Sequence, residues 1–156
     1  GANKQERAEE IGWSSVFFTT TLCIVIGIAV WIFRMQLLDL YDPPEAVKVF
    51  SVPLFLFIAF YQIFDALQIT AAFILRAYRI AFWPMLIYAG SLWGVGLGGG
   101  YLMGFNVFGN TPEFLQGANG FWAGNSLSLG LAAMLLLYLF RRTAARFEKT
   151  HPPVEV

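Results

Sequence analysis

Asp65 is the one residue here whose type and position together could do chemistry. It is the only charged side chain in an apolar run from about Val49 to Leu75. If that run is a helix, about twelve residues separate Asp65 from Pro53 and about eleven from Arg76, which puts the carboxylate roughly 16–18 Å from either surface at 1.5 Å per residue. That depth is close to a bilayer midplane. An unpaired carboxylate there costs at least about 2.5–3.5 kcal/mol on insertion scales, and acids kept at such a cost usually mark ion or substrate paths. Helical spacing of i, i+4, i+7 and i+11 places Tyr61, Asp65, Gln68 and Ala72 on one face. Tyr61 beside Asp65, with Gln68 and Ala72 as candidate cavity lining, suits a polar site for a proton or a small cation. The competing role for Asp65 is a protonated side chain hydrogen-bonded to another helix as packing glue.

The remaining candidates are poorer. Gly94, Gly96 and Gly99 match G-x-G-x-x-G, but no strand precedes them, so a dinucleotide site is not expected. His151, beside Pro152 in a polar tail, reads as solvated, and Cys23 in an apolar helix reads as a small hydrophobe. Asn125, Ser126 and Ser128 read as interhelical hydrogen bonders. No Cys/His cluster, nucleophile–base pair or phosphate loop is legible, so no catalytic residue, structural metal or cofactor is expected, only a coupling ion, H+ or a transient Na+ at Asp65. A formal net charge of zero gives no electrostatic case for a nucleic-acid partner.

The elements that must hold Asp65 are membrane helices. The chain is 58% hydrophobic and 13% charged, against about 45–50% and about 25% for soluble domains. Its apolar residues gather in four runs, about 11–33, 49–75, 81–105 and 120–140, each long enough to span a bilayer as a helix and too long for a membrane strand. The fold class is therefore all-α integral membrane, with residues 1–10 a cytoplasmic link, 11–145 a four-helix region and 146–156 a polar, fraying tail. In the third run, Gly90, Gly94 and Gly98 form one four-residue ladder and Gly96, Gly100 and Gly104 another, and such ladders let helices pack closely in lipid. Weak helix propensity also makes this run a candidate for bending.

Orientation follows from charge. Lys4, Arg7, Arg76, Arg79, Arg141, Arg142, Arg146 and Lys149 fall on one side, and only Arg34 and Lys48 on the other, eight against two. The positive-inside rule then places both termini in the cytoplasm. Trp13, Trp31, Tyr41, Trp83, Tyr101 and Trp122 lie near the expected span ends, as an aromatic belt would.

Phe64-Asp65-Ala66-Leu67-Gln68, with Leu75-Arg76, Pro84-Met85-Leu86 and Gly100-Tyr101-Leu102-Met103-Gly104-Phe105, resembles the C-terminal third of multidrug and toxic compound extrusion (MATE) transporters of the NorM type. Gly1 to Gln5 with Gly12-Trp13 looks like the link before their ninth helix. The resemblance covers nearly the whole chain and implies helices nine to twelve of a twelve-helix transporter, part of one six-helix lobe. It implies efflux of cationic or amphipathic drugs in exchange for Na+ or H+, with Asp65 as the cation-coupling acid and Tyr61 beside it. Its partners would be the bilayer, the remaining helices of the same transporter and small-molecule drugs, at a bacterial inner membrane. The sequence departs from that pattern at Ala77, Ile80 and Ala81, where the family has Gly and an Asp-Thr pair, and at Gly98, where it has proline. The alternative is a self-standing four-helix membrane protein, a small oligomeric exporter or an assembly subunit.

Overall fold

A computed structural model describes the backbone of residues 3–150 and the side chains of residues 9–146. His151 and Pro152, and the side chains of Lys4, Arg7 and Lys149, lie outside the described residues. The order is α1 (Asn3–Ile32), α2 (Arg34–Tyr41), α3 (Glu45–Ser51), α4 (Leu54–Ala77), α5 (Phe82–Gly90), a π-helix (Ser91–Gly99), α6 (Gly100–Gly104), a 3-10 turn (Glu113–Leu115) and α7 (Ala118–Thr150). No strand forms among the described residues. Three of these helices are long and apolar enough to cross a membrane, over Glu9–Ile32, Leu54–Ala77 and Ala118–Arg146.

The ends differ from expectation. The segment expected as a link is helical from Asn3, so it continues α1 as one rod. The tail does not fray at Arg141: α7 runs on to Thr150. Thr143 and Ala144 are buried just beyond Arg142, and Ala144 joins the apolar cluster of Ala71, Leu75, Leu136 and Phe140, so tertiary contact anchors the helix at that level.

The stretch expected as the third span is helical from Phe82 to Gly104, but its middle is π-helical. Four glycines in Ser91–Gly99 (Gly94, Gly96, Gly98 and Gly99) leave the backbone little side-chain restraint, and glycine is among the poorest α-formers. The wider i→i+5 turn is the result.

α7 is the centre of the assembly, packing on α4 along one side and on the π-helix and α6 along the other, while α1 lies against α4. On the first side, Phe64 meets Gly130, and Ala71 and Leu75 meet Leu136 and Phe140. The second side is a seam of small residues. Gly96 sits against the Ser128 side chain, while Gly100 meets Gly124 and Gly104 meets Gly120 backbone to backbone, an antiparallel register. The other ladder behaves differently: a Cβ on Gly90 or Gly94 meets nothing within 4 Å, and one on Gly98 meets only Trp93 O of its own helix. Gly90, Gly94 and Gly98, expected to pack helices, meet none among the described residues, because α7 can face only one side of this rod.

Connections are short and pinned. Asp42 turns the chain with φ 42°, and Lys48 Nζ donates to Asp39 Oδ1 at 2.8 Å across the turn. Asn106, at φ 49°, accepts from the Thr111 N–H at 2.9 Å, and Gly117 N–H donates to Gly104 O at 2.8 Å. Asparagine tolerates this left-handed geometry better than most residues.

Candidate functional site

α4 presents two stripes. Phe64, Gln68, Ala71 and Leu75, spaced i, i+4, i+7 and i+11, lie on the α7 side. Ile58, Tyr61, Gln62, Asp65, Ile69 and Thr70 line a cleft of about 510 Å³ that opens towards α1. α1 supplies Thr19 and Cys23 to its far wall, and Trp122 of α7 closes one flank.

The cleft exists because of where α1 and α4 touch. A Cβ on Gly27 would lie 3.5 Å from Ala59 O, and one on Gly12 would lie 3.5 Å from an Ile74 methyl. The helices close on each other at those two levels and part between them. Asp65 sits in the parted section, about 16–18 Å from either end of α4 at the helical rise.

Of the residues grouped by spacing, the structure brings Tyr61 and Asp65 together in the cleft and separates Gln68 and Ala72 from it. Gln68 is 7% exposed, and its Oε1 finds no partner among the described residues. Ala72 packs against the Ala71–Leu75–Leu136–Phe140 cluster. The reason is angular: three residues turn a helix through about 300°, which carries Gln68 round to the α7 seam. Gln62 and Thr70 take the polar places that spacing from Asp65 assigned to Gln68.

Tyr61 is tied down from α7. Its ring meets Trp122 edge-on at 5.8 Å and 80°. Asn125 Oδ1 lies 3.4 Å from where a Cβ on Gly96 would stand, beside the glycine seam. Asn125, expected as an interhelical hydrogen bonder, lies with its side chain at the junction of α7 and the π-helix. Ser128 instead donates to Asn125 O in its own helix at 2.7 Å, and Ser126 Oγ is buried without a partner among the described residues. Trp122 is half-buried between two clefts, not exposed in a belt. Beyond it lies an apolar hollow of about 390 Å³ lined by Leu92, Trp93, Phe121 and Asn125, which has no ionisable group.

Sequence reasoning missed Thr19, Gln62, Thr70 and Trp122. Gln62 and Thr70 were readable in principle as the i−3 and i+5 neighbours of Asp65. Thr19 and Trp122 come from other helices, and no spacing within α4 points to them. Cys23, read as a small hydrophobe, is half-buried in the cleft wall.

Among the described residues no group of three or more His, Cys, Asp or Glu could hold a metal. One carboxylate amid neutral oxygens is chemically fit to take up a proton or a monovalent cation.

A model of the MatE family matches residues 1–102. The chain is 36% identical over 123 residues to the probable multidrug resistance protein NorM of Aromatoleum aromaticum, covering 79% of this chain and 26% of that protein. It is 29% identical over 154 residues to the probable multidrug resistance protein NorM of Neisseria meningitidis serogroup B, covering 99% and 32%. With the multidrug resistance protein PmpM of Pseudomonas aeruginosa it shares 36% over 118 residues, 76% of this chain and 24% of that one. The chain spans about a quarter to a third of the length of these curated relatives.

Proposed function

The chain belongs to the MatE family, and from that premise we propose that it forms part of a cation-coupled multidrug efflux antiporter in a bacterial inner membrane. The observation that carries the reading is Asp65, a carboxylate halfway along an apolar helix that opens into a cleft between three helices. Binding of Na+ or H+ there neutralises a charge whose burial is costly. The gain changes how α1, α4 and α7 pack round the cleft, and that change weakens the hold on an amphipathic drug elsewhere in the transporter. Tyr61, held edge-on against Trp122, orients the site. The role is transport, with no bond made or broken in the substrate.

Four spans support this best, the helical rod from Phe82 to Gly104 being the third. The eight-to-two excess of Lys and Arg favours cytoplasmic termini. Similarity to a family of larger transporters does not favour a self-standing four-helix exporter. Drug efflux from reconstituted vesicles under an imposed sodium or proton gradient tests the reading: Asp65→Asn should abolish gradient-driven efflux at normal expression. Efflux at the wild-type rate would return Asp65 to a packing role.

A further inference from the structure

α1 carries three consecutive threonines, and the structure treats them differently. Thr20 Oγ1 donates to Val16 O at 2.6 Å and Thr21 Oγ1 to Phe17 O at 2.9 Å, while Ser15 Oγ does the same to Ile11 O at 2.7 Å. A hydroxyl in an apolar helix ordinarily returns to its own backbone in this way. Thr19 does not: no hydrogen bond engages its hydroxyl among the described residues. It is also the member of the three that lines the Asp65 cleft.

We propose that Thr19 is a ligand to the coupling ion at Asp65, supplied across the cleft by α1, and that the ion it serves is a dehydrated monovalent cation of the sodium type. This rests on the reading of Asp65 as the cation-coupling acid. The donor set supports it. The Asp65 carboxylate, the Gln62 carbonyl, the Thr19 hydroxyl and the Thr70 hydroxyl are all hard oxygens, the ligands that alkali and alkaline-earth cations prefer. One carboxylate balances a single positive charge. A proton needs only Asp65 and gains nothing from a hydroxyl on the opposite helix, whereas a cation stripped of water needs several oxygens at once. The helix contacts at Gly27–Ala59 and Gly12–Ile74 hold α1 and α4 together above and below, so an ion shared by Thr19 and Asp65 bridges the section where they part.

Cys23 lines the same cleft and reports on it. In the full-length protein in detergent, sodium chloride should slow alkylation of Cys23 by N-ethylmaleimide, read by peptide mass spectrometry, more than potassium chloride does. Thr19→Val should raise the half-protecting sodium concentration roughly tenfold, the scale of one hydrogen-bonding oxygen lost to a charged group. Thr19→Ser should restore it, and Thr20→Val, which removes a hydroxyl committed to the backbone, should leave it unchanged. Thr19→Ala replaces Thr19→Val if the latter does not fold. Wild-type protection in Thr19→Val, with protection lost in Asp65→Asn, overturns the role of Thr19 and leaves the cation reading standing. Protection that follows pH and ignores sodium overturns the choice of ion. Sodium protection that persists in Asp65→Asn overturns the cation reading and this inference together.

Discussion

A Cβ on Gly124 would stand 2.7 Å from the Cα and 2.6 Å from the N of Gly100. Backbone meets backbone at that point, so neither helix can yield by rotating a side chain. Small residues earn such places in lipid, where close van der Waals contact replaces the hydrophobic drive to associate. Trp122, which meets the Tyr61 ring, lies two residues back from Gly124 along α7, so the seam and the cleft share one helix.

Gly124→Ala is therefore expected to cost about 1–3 kcal/mol as an overpacked contact, and Gly94→Ala, which meets nothing within 4 Å, to cost nothing. Thermal stability of the purified full-length protein checks both. An equal loss in Gly94→Ala would show that another helix covers that face.

At Asp65, removing charge while keeping shape should leave folding intact, since a buried carboxylate is costly and its neutral isostere is not. Asp65→Asn should express normally and lose cation-driven efflux. Asp65→Glu should keep part of the activity, because it preserves the charge and moves it by one methylene.

Tyr61→Phe removes the phenol hydroxyl from the cleft but keeps the ring against Trp122. Coupling should weaken modestly, by the roughly 0.5–1.5 kcal/mol of one neutral hydrogen bond. Trp122→Ala should cost more, as it removes the aromatic contact and the wall between the two clefts. The sodium or proton dependence of efflux rate in the two variants decides the order.

Topology has its own test. Ala77 and Asn110 are both exposed, one at the end of α4 and the other in the loop before α7. Cysteines placed there should react with an impermeant thiol reagent from opposite sides, Ala77→Cys from the cytoplasm. Labelling of both from outside would break the four-span arrangement.

Some of this protein is determined along the chain alone. Runs of apolar residues longer than a bilayer is thick can satisfy their backbone in lipid only as helices, so the spans of about 49–75 and 120–140 were legible from composition and length, although residues 49–51 fall in α3 and α4 begins at Leu54. The depth of Asp65 follows from its place in one such run. The Gly96–Gly100–Gly104 ladder was visible too, but so was Gly90–Gly94–Gly98, and periodicity could not say which one α7 would meet. That choice, the diversion of Gln68 to the α7 side, the arrival of Thr19 in the cleft with Asp65 and the burial of Ala144 belong to tertiary structure. Each depends on which face of one helix lies against another, and that is set by the joint fit of side chains and bare backbone on both helices, which neither helix's own spacing contains.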